Sequence, residues 1–150
     1  VPDLKKQLRD DLTTAMKARD ELRTATLRMV LTAISAEEVS GKEARELSDD
    51  EVQAVVRREA KKRREAAEAF AGAGRAEQAA REEAEGEVLA GYLPAQLEDA
   101  DLAALVADVI TRTGASGMKD MGKVMGAANA AVAGRAEGGR VAAEVRRQLA

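Results

Sequence analysis

An all-α protein is the fold class this sequence predicts, and three observations carry it. Apolar residues recur at three- and four-residue spacing along most of the chain, the period of one face of a helix. Ser48-Asp49-Asp50-Glu51 is a capping box, in which the serine hydroxyl accepts from the Glu51 amide while the Glu51 carboxylate reaches back. Glycines at Gly72, Gly74, Gly91, Gly114 and Gly134 cut the periodic stretches into helix-sized lengths. The predicted architecture is an N-terminal helical bundle of hairpins, residues 1–93, followed by a compact three-helix tail domain, residues 94–150.

The first helix is predicted from about Asp3 to Ala18, with Leu4, Leu8, Leu12, Ala15 and Met16 on its apolar stripe. Arg19-Asp20-Glu21 bends the chain, and a second helix to about Val39 carries Leu27, Val30, Leu31 and Ile34 before Ser40-Gly41 ends it. So short a connection favours antiparallel neighbours. From Asp49 to about Ala71, Val52, Val55, Val56, Ala66, Ala67 and Phe70 share the buried side. Glu59 and Arg63 fall within that apolar arc, four residues apart and with the acid first, so they are expected to pair as a clamp inside the bundle. Arg57, Lys61 and Arg64 form an outer stripe, read as a solvated face with acids nearby at Glu65 and Glu68; an RNA-contacting surface is the alternative.

Beyond Gly72-Ala73-Gly74 a helix begins near Arg75 and carries Glu82, Glu83, Glu85 and Glu87, expected to face solvent. Gly91-Tyr92-Leu93-Pro94 marks the domain boundary, because a proline biases the residue before it toward an extended conformation. The amphipathic ring of Tyr92 suits an anchor between the two domains. The tail opens with a helix from about Glu98 to Thr113, capped by Glu98 or Asp99, with Leu102, Leu105, Val106, Val109 and Ile110 inside. Gly114 stops it, Ser116 starts the next helix, Gly134 ends that one, and a last helix from about Gly138 presents Val141, Val145 and Leu149.

Composition narrows the chemistry. The chain has no cysteine and no histidine, which leaves no thiolate, no disulfide, and neither the commonest general base nor the commonest zinc ligand. Helix capping accounts for the acids at Asp49, Asp50 and Glu51, and one helix alone does not converge the oxygen ligands that a hard cation needs. No metal, no cofactor and no catalytic residue are therefore assigned. No apolar run approaches the length of a membrane span, and Val1-Pro2-Asp3 leading into a charged helix lacks the pattern of a signal peptide, so a cytoplasmic protein without a membrane partner is expected. The net charge of −3 does not by itself advertise a nucleic-acid binder.

The distribution is more telling. Residues 114–141 hold seven of the twelve glycines, and from Gly114 to the last residue six basic side chains stand against three acidic ones. On a helical wheel Met121, Val124, Met125, Ala128 and Val132 make a core face. Lys119, Gly122, Lys123, Gly126 and Ala130 fall opposite it, with Asn129 at the edge. A glycine in a helix costs roughly 1 kcal/mol relative to alanine. Two of them away from the core stripe let another backbone approach closely, and the flanking lysines suit one that carries phosphates. Lys119, Gly122, Lys123 and Gly126, with Arg135, Arg140 and Arg147, are the candidate RNA-binding residues. The glycines and lysine of Gly117–Val124 also match part of a P-loop, but Val124 replaces the hydroxyl residue and a helix, not a strand, precedes it, so nucleotide binding is set aside.

Asp120-Met121-Gly122-Lys123-Val124-Met125-Gly126, Gly134-Arg135-Ala136-Glu137-Gly138 and the upstream Tyr92-Leu93-Pro94-Ala95-Gln96-Leu97 together resemble the GatB/YqeY family. That family joins free-standing helical YqeY-like proteins to the tail domain of the aspartyl/glutamyl-tRNA amidotransferase B subunit. The resemblance covers both halves and is densest in the tail; Glu137 stands where the family more usually has Asp and keeps the charge. It implies a tRNA-directed accessory role, with tRNA or another structured RNA as partner. Two alternatives stand beside it: a protein–protein adaptor docking through residues 1–93, and a component of a carbon–nitrogen ligase that uses glutamine as amide donor. Because the resemblance is to the tail and not to the domain that activates the aminoacyl-tRNA, independent catalysis is not expected.

Overall fold

The computed structural model describes residues 3–150, so Val1 and Pro2 of the opening tripeptide lie outside the described residues. Seven α-helices and one 3₁₀ turn form the regular structure, and no strand occurs among the described residues. The helices are α1 (Asp3–Lys17), α2 (Glu21–Glu38), α3 (Asp49–Gly72), α4 (Ala76–Ala90), α5 (Asp99–Thr113), α6 (Met121–Val132) and α7 (Gly138–Leu149), with the 3₁₀ turn Met118–Asp120 leading into α6. The chain divides into two compact units between Leu93 and Pro94.

In the first unit the predicted stripes meet in one core. Leu8 and Ala15 of α1, Leu27, Val30 and Ile34 of α2, Val52, Val55 and Val56 of α3, Leu89 of α4 and Leu47 from the connection before α3 are all buried there. Short polar side chains fix the helix entries. Asp20 caps α2 by accepting from the Arg23 amide at 3.0 Å, and Asp49 accepts from the Leu4 amide at 3.1 Å, which ties the start of α1 to that of α3. The capping box forms as its spacing predicts: Glu51 N donates to Ser48 Oγ at 3.3 Å and Ser48 N to Glu51 Oε1 at 3.2 Å. Arg45 Nη2 meets the same carboxylate at 2.6 Å, and this guanidinium, with the Ser48 bonds, draws the Glu51 carboxyl down to about 2. Met16 departs from the expected stripe. It is about half exposed, because Ala15 takes the core position and Met16 lies roughly 100° round the helix from it.

The clamp of Glu59 and Arg63 is present and larger than the pair that the wheel suggests. Glu59 is buried, with Oε2 at 3.8 Å from Arg63 Nη2 and Oε1 accepting from Lys62 Nζ at 3.3 Å. Arg63 also faces Glu82 and Glu85 of α4, each at 3.6 Å. These two acids are therefore partly buried partners and not the solvated face expected of them; Glu83 and Glu87 do face solvent. The wheel places Glu82 and Glu85 on α4 but does not show which residue of the antiparallel neighbour lies opposite.

Tyr92 closes the first unit. Its hydroxyl donates to Asp11 Oδ2 at 2.5 Å and accepts from Arg23 Nη2 at 3.1 Å, so both of its polar partners lie in α1 and α2 of the same unit.

The second unit is a three-helix cluster. Leu102, Val106 and Val109 of α5, Val124, Ala128 and Val132 of α6, and Val141, Val145 and Leu149 of α7 form its core with Ala136. Gly114 ends α5 in the left-handed region at φ 68°, and Ala133 and Gly134 end α6 at φ 49° and 80°. Glu98 takes the position before α5, but its side chain makes no capping hydrogen bond. The α6 stretch begins one turn later than Ser116. There the Ser116 amide donates to Asp120 Oδ2 at 2.9 Å, and this local loop, with the 3₁₀ turn after it, occupies residues that the apolar period alone assigned to the helix.

Candidate functional site

The outer face of α6 is where the structure gathers the residues singled out in the sequence. Val124, Ala128 and Val132 turn inward, while Gly122, Lys123, Gly126, Asn129 and Ala130 are exposed on the opposite side, and Lys119 is exposed in the 3₁₀ turn just before them. A Cβ added to Gly122 or Gly126 would meet nothing within 4 Å. Neither glycine has a positive φ. Backbone strain and neighbouring packing are thus both removed as reasons for glycine at these two positions.

The basic residues separate by what they hold. Lys119 makes no side-chain hydrogen bond or ion pair among the described residues. Lys123 Nζ donates to the Thr113 carbonyl at 2.8 Å, capping the end of α5, where a cation also suits the negative end of the helix dipole. Arg135 caps α6 in the same way, its Nε and Nη2 reaching the Val132 and Ala131 carbonyls at 3.1 and 3.3 Å. Arg140 Nη2 donates to the Leu97 carbonyl at 2.8 Å and meets Asp99 Oδ1 at 3.0 Å, fastening α7 to the start of α5. Arg147 pairs with Glu144 one turn back, and that guanidinium, with Gln148, holds the Glu144 carboxyl below its ordinary range. So the structure brings Lys119, Gly122, Lys123 and Gly126 together on one surface, and gives Arg135, Arg140 and Arg147 intramolecular partners.

Beside this face, between α5 and α6, runs a shallow groove of about 420 Å³ lined by Val109, Arg112, Thr113, Ala127, Ala130 and Ala131. No sequence pattern announced it, since it depends on which small residues of α6 sit next to α5. The basic run of α3 presents no comparable free surface. Arg58 lies 3.6 Å from Glu37, Lys61 3.9 Å from Glu65 and Lys62 3.3 Å from Glu59, while Arg57 binds Gln53 at 3.1 Å. No group of three acidic side chains able to hold a metal occurs among the described residues, and no helix there is long and apolar enough to cross a membrane.

No curated protein matches the chain. A family model does, and it spans almost the whole of the sequence, both units included. Through the match of residues 5–149 to the model described as Yqey-like protein, the chain belongs to that family.

Proposed function

We propose that this chain is an accessory RNA-binding protein, directed at tRNA or another structured RNA, that contacts its ligand by shape and phosphate and has no catalysis of its own. The observation that supports this most is the pair Gly122 and Gly126, one turn apart on an outward helix face with open space above both. Their cost in helix stability, roughly 1 kcal/mol each at most, has no return inside the fold. It has one if a second backbone lies against α6. Lys119, unpartnered at the edge of that face, and the remaining N–H groups of Lys123 make a phosphate backbone the best fit. No aromatic residue lies in the second unit, so bases have no stacking platform there, and recognition rests on backbone geometry.

The groove between α5 and α6 favours a second reading, a protein–protein adaptor that seats a helix along Ala127, Ala130 and Ala131. A place within a glutamine-using carbon–nitrogen ligase remains attached to the family resemblance, with this chain as a component and not the catalyst. Fluorescence anisotropy with a tRNA at several salt concentrations separates these readings. Lys119→Glu is expected to weaken binding and to flatten its salt dependence by roughly 0.7–0.9 log units per lost contact. Absence of RNA binding at low salt, with retained capture of a helical peptide, would favour the adaptor.

A further inference from the structure

We propose that the hollow where α1 turns into α2 is a docking site for an acidic segment of a partner protein, which sets carboxylates on Arg19 and Arg28 and an apolar side chain on Met16. The hollow lies wholly within the first unit, has a volume of about 370 Å³, and is lined by Met16, Arg19, Thr24, Ala25 and Arg28 together with Asp20 and Glu21.

Arg19 stands in a backbone position that does not suit it. Its amide donates to the Met16 carbonyl at 3.2 Å and the Asp20 amide to the Ala15 carbonyl at 3.0 Å, the paired bonds of a Schellman motif that ends α1. That motif puts Arg19 at φ 57°, in the left-handed region where glycine is the usual residue and any Cβ is crowded. No internal contact explains the choice, since the exposed Arg19 side chain makes no hydrogen bond or ion pair among the described residues.

The charges around the hollow are unevenly satisfied. Arg28 is exposed and makes no ion pair among the described residues; its Nη2 lies 3.7 Å from the Met16 sulfur, a weak acceptor. Asp20, by contrast, accepts from the Arg23 amide at 3.0 Å, and Glu21 is gripped by both terminal nitrogens of Arg81 at 2.7 and 3.0 Å. Two guanidiniums are thus left to seek carboxylates beside a half-exposed thioether, and arginine and methionine are the residues that protein interfaces favour. A nucleic-acid backbone fits less well. It carries a charge at every nucleotide and would cross Asp20 and Glu21 too, whereas a peptide can pass those acids with neutral residues.

Selection of a displayed random dodecapeptide library on the full chain, counter-selected on an Arg19→Gly, Arg28→Gln double variant, tests the site. Enriched peptides should carry Asp or Glu beside an apolar residue. The strongest of them, synthesised with a fluorescent label, should bind about three- to fivefold more weakly to Arg19→Gly and to Arg28→Gln. Met16→Gln should weaken it as well. Arg19→Gly should melt no lower than the parent, because glycine suits the left-handed position. Arg28→Gln changes an exposed helix position and decides the matter if Arg19→Gly unfolds. Affinity for tRNA, proposed for the α6 face of the other unit, should be the same in all three variants. No enrichment over the counter-selection, enriched peptides without acids, or variants that lose tRNA binding and not peptide binding would each overturn the proposal.

Discussion

Tyr92 and Asp11 sit 81 residues apart in sequence and 2.5 Å apart in space, the phenol donating to the carboxylate. Burial of the ring, followed by the hydrogen bond to Asp11 and then the Asp11 charge, pushes the Tyr92 hydroxyl up to about 12 from its ordinary 10.0, against a smaller opposing pull from Arg23. The proton is held more tightly in the folded than in the unfolded state. Its contribution to stability is therefore complete below about pH 10 and is lost as pH rises from there through about 12. Tyr92 is the sole tyrosine and there is no tryptophan, so the rise in phenolate absorbance reports this one group. Titration of the native protein should show a raised midpoint, and Asp11→Asn should lower it. A native midpoint at 10 would show that the hydroxyl is not held as described.

Acid should act at the other end of the same unit. The Glu51 carboxyl is drawn from its ordinary 4.5 to about 2 by Arg45 and Ser48. A lowered carboxylate stabilises the fold above its unfolded value, and that stabilisation drains away as pH falls from about 4.5 toward about 2. Thermal melts across this range should fall more gently in Arg45→Ala than in the parent, since that variant begins with less to lose. Identical slopes would count against the assignment.

The Arg63 network should respond unequally to its members. Arg63→Met leaves Glu82 without its cation, while Glu59 keeps Lys62 at 3.3 Å and Glu85 keeps Arg81 at 3.0 Å. Removing one partner of a buried pair costs 3–5 kcal/mol, and partial exposure with separations of 3.6 to 3.8 Å brings the expected loss here to roughly 2–3 kcal/mol. Glu59→Gln, which keeps shape and hydrogen-bonding capacity, should cost about 1 kcal/mol. Urea unfolding of both variants tests the order; a larger loss in Glu59→Gln would contradict it.

The helices and their inward faces were readable because burial repeats with helical period, and α1 to α7 fall within a residue or two of their predicted limits, apart from the start of α6. The capping box was readable because its hydrogen bonds are local. What escaped the sequence depends on neighbours distant along the chain: Glu82 and Glu85 against Arg63, the Tyr92 hydroxyl against Asp11, and the groove between α5 and α6. The same limit explains the site. The wheel placed Lys119, Gly122, Lys123 and Gly126 on one outward face, yet periodicity carries no information on which carbonyl a long basic side chain will find. Arg135 and Arg140 each end on backbone oxygens.

Gly126→Leu tests the α6 surface without altering charge. With nothing within 4 Å of an added Cβ, the larger side chain has room to project into solvent. Leucine is also the better helix former, so the second unit should melt at least as high as the parent, by up to about 0.8 kcal/mol. RNA binding should nonetheless weaken, since the side chain would occupy the space meant for the approaching backbone. Unchanged affinity in a variant that folds normally would remove the glycines from the interface.

The two glycines have a consequence in time as well as in space. A helix of 12 residues that carries Gly122 and Gly126 holds its own hydrogen bonds less firmly than it would with alanine at both positions. Its amides are therefore more ready to open and exchange with solvent deuterium than those of a Gly122→Ala, Gly126→Ala variant would be. Whatever comes to lie along this helix would quieten that breathing, so a bound partner should announce itself as slowed exchange along α6 even at residues whose side chains it never touches.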